Sequence, residues 1–361
     1  MSDHNENIEQ EDVGMAMKKP FNPNNIKVRL QAIPIYAMAE RIHHNEINLQ
    51  TAFQRKEGLW KDKQQSRLIE SILIRFPLPV FYFEGSDPDK WLVIDGLQRL
   101  TSLKRFMVTK ELKLTDLEFL KQLEGKGWDD LDRPQQRQIN ETILQCHIIE
   151  EGDDDAIFNI FKRINTGGLS LSDQEIRHAM HQDVADYLKN LAESQEFIKA
   201  TRGKVSPERM LDRDFVNRFL AFYLFNQETD YTYDDDLDSF MNRTLDKVAT
   251  LSQSERQDLE LRFKAAMDTA RSIFGDSAFC KKKDYKRINK ALFEVIAVSF
   301  AKLSDNQRDE LVRKKTAFRT LFFNSVNVRF ADSLTSNTGG KSNIALRHRE
   351  FNNLVNSTLN S

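Results

Sequence analysis

Residues 91–101 read WLVIDGLQRLT, and this stretch decides the fold. Trp91–Ile94 is a short, continuous apolar run suited to a buried strand. From Leu97 the period changes, and Leu100, Leu103, Phe106 and Met107 fall on one side of a helix. Asp95 and Gly96 must turn the chain sharply between the two, with Gln98 and Arg99 in the first helical turn. Such an elbow gathers backbone N–H groups and the positive end of a helix dipole at one point. Two readings follow. In the first, Arg99 forks onto a phosphate, Gly96 and its neighbours supply N–H donors, and Asp95 binds a divalent metal, orients a water or holds Arg99. In the second, Asp95 is only a helix cap and Arg99 pairs with it or points to solvent.

Working outward, VFYF (80–83) is a strand, and Asp87-Pro88 suits the first two positions of a type I turn, so a hairpin joins VFYF to WLVI. Before it, residues 62–75 place Leu68, Ile69, Ile72 and Leu73 on one helical face, ended by Pro77 and Pro79. Earlier still, KVRLQAI is extended, a helix starts near Ile35, and EINLQTAFQR returns as a strand ending in Gln54-Arg55. That second arginine either closes on the same anion or lies over Trp60. Downstream, TILQCHII reads as a strand and DAIFNIFKRI as a helix. Arg163, Asn165, Thr166, Gly167 and Gly168 then form a loop whose two glycines permit close backbone approach to a ligand, or a helix C-cap with a tight turn. Ser172 to Glu175 matches a capping box, which starts a helix at Asp173. Beyond it the apolar spacing is helical throughout, apart from the loop SLTSNTGGKSN (333–343).

Composition narrows the function classes. The chain has 361 residues, with 53 basic and 55 acidic, for a net charge of −2, so no bulk nucleic-acid binder announces itself. Lys281–Lys283, Lys286, Arg287 and Lys290 form the best local basic patch. The two cysteines, Cys146 and Cys280, lack CxxC spacing, which argues against a cysteine zinc site and fits a reducing cytoplasm. The polar, acidic opening MSDHNENIEQEDVG reads as a disordered tail rather than a signal peptide, and no apolar run is long enough to span a bilayer. Glu175, His178 and His181 do not share one helix face, and the runs Asp153–Asp155 and Asp234–Asp236 read as solvated helix N-termini rather than calcium loops. No GxxxxGK[ST], GxSxG or HExxH pattern occurs.

Taken together, FQRKEGLW, LIESILIRFPLPVFYF, LVIDGLQRLTSL and FKRINTGGLSLSDQEIR resemble, in that order, the N-terminal domain family of GmrSD-type restriction endonucleases. The resemblance is specific over about residues 30–180 and looser beyond. It implies an α+β protein: a ParB/sulfiredoxin-like mixed α/β domain over 25–168, after a tail over 1–24, then an all-α domain over 169–361. The family's Asp-Gly-Gln-Gln-Arg box, associated with nucleotide binding and hydrolysis, falls on Asp95, Gly96, Leu97, Gln98 and Arg99, with Leu97 replacing a glutamine. By the same resemblance Asp95, Gln98 and Arg99 are the expected catalytic group. Gln54, Arg55, Gly96, Arg163, Asn165, Thr166, Gly167 and Gly168 would bind nucleotide, with Glu175 and Arg177 behind them. A nucleoside triphosphate with Mg²⁺, carried by Asp95, is the implied ligand. The implied role is a cytoplasmic sensor or regulatory subunit of a DNA-directed defence system. No His-Asn-His module follows residue 180, so a nuclease subunit would be a separate chain. A stand-alone metal-dependent nuclease and a non-enzymatic module for nucleotide or modified DNA remain the alternatives. Neither the partner nor the oligomeric state is fixed by sequence.

Overall fold

A computed structural model describes residues 7–13, 26–49, 60–164, 171–227, 229–232, 236–283, 286–325 and 328–361. The chain forms two compact units, one within residues 21–180 and the other from residues 1–20 together with 181–361. The first is mixed α/β and the second helical, so the protein is α+β.

In the α/β unit the strands are β1 (Lys27–Pro34), β2 (Ile47–Asn48), β3 (Phe81–Glu84), β4 (Trp91–Asp95) and β5 (Ile143–Glu151), in the order β1-β5-β3-β4-β2. β1 runs antiparallel to β5, β5 parallel to β3, β3 antiparallel to β4, and β4 parallel to β2. The β3–β4 hairpin turns where the sequence places it: Asp89 N–H donates to Asp87 Oδ1 at 2.9 Å, and Lys90 N–H to the Asp87 carbonyl at 3.2 Å.

Helices α1 (Ile35–His43), α2 (Asp62–Leu73), α3 (Leu97–Leu103), α4 (Arg133–Glu141), α5 (Asp154–Ile164) and α6 (Asp173–Met180) complete the unit. Side chains alternate across the sheet. Phe81, Phe83, Trp91 and Val93 enter one core with Met38, Ile69, Ile72, Leu100 and Leu103, whereas Leu92 and Ile94 enter a second with Phe158, Phe161, Ile176 and Ala179. β4 is therefore covered on both faces, which is why it reads as an unbroken apolar run. Because α6 belongs to that second core, the unit ends at Met180 and not at the expected residue 168.

A buried carboxylate fixes the loop after α3. Glu70 accepts N–H bonds from Glu118, Phe119 and Leu120 at 2.7–3.0 Å. Burial pushes its pKa up, and these backbone donors pull it further down, below its ordinary value.

The helical unit contains α7 (Gln182–Ala192), α8 (Gln195–Ala200), α9 (Leu211–Leu224), α10 (Leu237–Ala249) and α11 (Gln253–Phe274). They are followed by α12 (Lys290–Lys302), α13 (Asp305–Arg313), α14 (Lys315–Ser325), α15 (Val328–Ser333) and α16 (Lys341–Asn360). α12 is buried nearly all round, and α9 and α11 pack on it through Phe215, Phe219, Phe263 and Phe293. Residues 7–13, expected as part of a disordered tail, lie on this unit: Ile8 is buried and makes a parallel bridge to Ile288. Their apolar residue and their acids find matching partners there, which composition alone does not reveal. Among the described residues no helix is long and apolar enough to cross a membrane.

Candidate functional site

The elbow is built from a strand end, one glycine and a short helix. Gly96 has φ 108° and ψ 5°, and a Cβ there would lie 2.3 Å from Cδ1 of Phe81. Conformation and space both require glycine. α3 runs straight into a π-helical turn, Lys104–Val108. Such turns recur at functional sites.

Arg99 is 8% exposed. Its Nη1 donates to the Pro79 carbonyl, and its Nη2 donates to the Val80 carbonyl at 3.1 Å and to Asp95 Oδ2 at 2.9 Å. The guanidinium lies over the Phe81 ring, 4.0 Å from its centroid. Burial pulls its pKa below the ordinary value and the Asp95 carboxylate offsets part of that; an arginine so paired keeps its charge. The fork is thus committed to β3's approach and to Asp95. The Asp95 side chain is 43% exposed, and among the described residues its Oδ1 has no partner. Arg99 thus holds one carboxylate oxygen of a well-exposed side chain.

Gln98 faces elsewhere: its Oε1 accepts from the Trp60 N–H at 3.1 Å. Trp60 is further held by Gln65, whose Nε2 donates to its carbonyl at 2.7 Å, and Arg105 donates to Gln65 Oε1 at 2.9 Å and to Asp62 Oδ1 at 2.8 Å. The elbow therefore pins the chain just after Gln54-Arg55, which themselves lie outside the described residues, as do Asn165, Thr166, Gly167 and Gly168. Leu97, at the position of the family's first glutamine, is half-buried and packs against the first core.

The remaining expected site residues sit on the sheet's other side. Arg163 is exposed in the last turn of α5. Glu175 closes the capping box: Ser172 N–H donates to its Oε2 at 2.7 Å, and its own N–H donates to Ser172 Oγ at 3.2 Å. Arg177 is buried with its guanidinium 5.0 Å from the Phe158 ring centroid. Asp153 and Asp236 cap helices, through Ala156 N–H and Ser239 N–H; Asp234 and Asp235 lie outside the described residues.

Several chemistries can be weighed on this geometry. Cys146, paired with Phe81 across β5 and β3, is buried, and burial pushes its thiol up to about 12, so it is no nucleophile at neutral pH. Asp95, Glu175 and His178 belong to no group of three or more metal-ligating side chains among the described residues. A single hard carboxylate fits Mg²⁺ delivered with a polyphosphate, which needs only one or two protein carboxylates, better than a resident ion. In the basic stretch, Lys281 pairs with Glu9 at 2.7 Å and Lys290 with Asp214 at 2.6 Å, so two of its charges are neutralised within the unit.

Sequence reasoning missed the Pro79 and Val80 carbonyls, Phe81, Gln65 and Arg105, and it named Trp60 only as a ring for Arg55. Pro77 and Pro79 signalled only a helix stop. Nothing in the sequence marks a carbonyl as an arginine's partner.

An α+β domain whose strand-to-helix elbow carries Asp-Gly-x-Gln-Arg on a buried guanidinium is the class this unit defines. Residues 39–182 match the family model described as GmrSD restriction endonuclease, N-terminal domain, and the α/β unit belongs to that family. The family's description names a restriction endonuclease. No curated protein and no solved structure matches the chain.

Proposed function

We propose that the α/β unit is a nucleotide-binding module, ParB/sulfiredoxin-like in kind, that serves as sensor or regulatory component of a DNA-directed restriction or defence system. The observation that carries this reading is Asp95, held by buried Arg99 so that one oxygen stays available at the strand's end. Asp95 is the residue that would hold Mg²⁺, directly or through water, and the ion would supply charge neutralisation for the phosphates. Arg99 is a positioning residue here, since its donors are spent on carbonyls and on Asp95. Neutralising the phosphates then falls to Arg55, with Asn165–Gly168 as the backbone cradle. Gln98 holds the backbone of Trp60, the first described residue after Arg55. A separate chain would supply DNA cleavage.

A second reading, binding without turnover, is favoured by the same commitment of Arg99: the elbow itself leaves no spare cation for a transferring phosphoryl group. Leu97 does not decide between the two, because it packs against the core.

The test is binding of ATP, GTP, CTP and UTP with Mg²⁺, followed by phosphate release, for wild type and Asp95→Asn. Binding lost in the variant, with the fold intact, supports the reading, and phosphate release separates enzyme from sensor. Equal binding in both proteins, or none in either, refutes it. Metal-dependent DNA cleavage without nucleotide would favour a nuclease instead.

A further inference from the structure

The helical unit holds a second charged site, unrelated to the elbow. Glu294 on α12 is fully buried. It accepts from Arg218 Nε at 2.7 Å, from Arg347 Nε at 2.9 Å and Nη2 at 2.8 Å, and lies 2.9 Å from His348 Nε2. One carboxylate cannot neutralise two buried guanidinium groups. The balance comes from the chain's opening segment: Arg218 Nη1 donates to Glu11 at 2.7 Å, and Thr338 Oγ1 donates to Glu11 Oε1 at 2.5 Å. Burial pushes the Glu11 carboxyl up, and Arg218 and Lys290 outweigh it, so Glu11 stays ionised. Arg218 Nη2 is buried and has no hydrogen-bond partner among the described residues.

The rest of the segment is bound as a guest strand. Ile288 N–H donates to the Asn7 carbonyl at 2.9 Å, and Glu9 N–H to the Ile288 carbonyl at 2.9 Å. Thr338 N–H and Gly339 N–H donate to the Asp12 and Val13 carbonyls at 2.9 and 3.0 Å. Ile8 fills an apolar site, 6% exposed, and Glu9 meets Asn289 at 2.9 Å and Lys281 at 2.7 Å. A Cβ on Gly339 would come within 2.7 Å of the Val13 carbonyl, so this glycine is what lets the strand approach. Main-chain pairing for affinity, with side-chain pockets for selectivity, is the pattern of peptide recognition by strand addition.

We infer that this groove is a peptide-binding site for short acidic segments with an apolar residue three positions before the anchoring carboxylate, and that residues 7–13 are its occupant in cis. A segment of the same chemistry competes for Arg218, Thr338, Ile288 and Lys281 when the strap lets go. The inference does not rest on nucleotide binding.

The test uses the full chain and a fluorescent peptide of residues 5–14, NENIEQEDVG, followed by anisotropy. Glu11→Gln weakens the strap in cis, so the peptide should bind that variant about tenfold more tightly than wild type, where the tethered strap competes. A peptide with glutamine in place of the anchoring glutamate should bind about tenfold more weakly. In the variant, hydrogen exchange at Ile288, Thr338 and Gly339 should quicken and slow again on adding the peptide. Equal binding of the two peptides, or no binding to a folded Glu11→Gln chain, overturns the inference. Should Glu11→Gln fail to fold, Ile8→Ala, which removes only the apolar anchor, takes its place with the same expected and refuting results.

Discussion

Replacing Arg99 by alanine tests whether it positions the elbow or binds the ligand. Truncation removes the donors to Pro79 and Val80, at about 1 kcal/mol each where water can partly replace them. Loss of the contact with Phe81 adds about 0.5–1 kcal/mol. The pair with Asp95 adds at most another ~0.5 kcal/mol, because that carboxylate is well exposed and screened. The sum is about 3 kcal/mol. All three tryptophans, Trp60, Trp91 and Trp128, lie in the α/β unit, so urea unfolding followed by tryptophan fluorescence reports that unit alone. Arg99→Lys should recover little, since an ammonium cannot span two carbonyls and a carboxylate as a planar fork does. Asp95→Asn should cost under ~1 kcal/mol in the same assay. An Arg99→Ala protein within about 0.5 kcal/mol of wild type that has nevertheless lost nucleotide binding would refute the positioning role.

In the same unfolding assay, Gly96→Ala should destabilise by about 2–5 kcal/mol through its positive φ and its overlap with Phe81; adding Phe81→Leu should recover only the overlap. Leu97→Gln, which restores the family's amide, should lose about 1 kcal/mol and gain no phosphate release, as measured with a phosphate sensor. Glu294→Gln should cost about 3–5 kcal/mol by leaving Glu11 alone to balance Arg218 and Arg347, read from thermal unfolding by circular dichroism. The helical unit should also lose stability on acidification. Burial raises and Arg347, Arg218 and His348 lower the Glu294 pKa, to about 2 against an ordinary 4.5, so its contribution is full above 4.5 and fades toward 2. Burial likewise holds the His348 pKa below its ordinary 6.5, so the loss begins below that pH; melting temperatures that stay flat from pH 7 to pH 3 would contradict both.

Much of this was legible where local chemistry decides. The change of period at Asp95-Gly96, the Asp87-Pro88 turn and the Ser172–Glu175 capping box each became the element that the residues specify. α4 was missed although Asp132 caps it through Gln135 N–H, with proline in the first turn; that signal sits in a stretch dominated by glycine and aspartate. What stayed illegible is long-range. Arg218, Glu294 and Arg347 are far apart in sequence, and nothing local distinguishes them from surface charges. Of the two readings of Arg99, its pairing with Asp95 is the one present, but its bonds to Pro79 and Val80 were not legible, because an arginine's sequence neighbours do not reveal which carbonyls lie in front of it.

The opening strap also imposes an order on synthesis. Residues 7–13 are synthesised well before the backbone groups they pair with, at 288 and 335–339. The α/β unit lies wholly between them, so its sequence is complete long before the helical unit can close. Until then Ile8 and three acids wait without their partners. A change within residues 7–13 would therefore act on the closing of the helical unit, far along the chain from where the change was made.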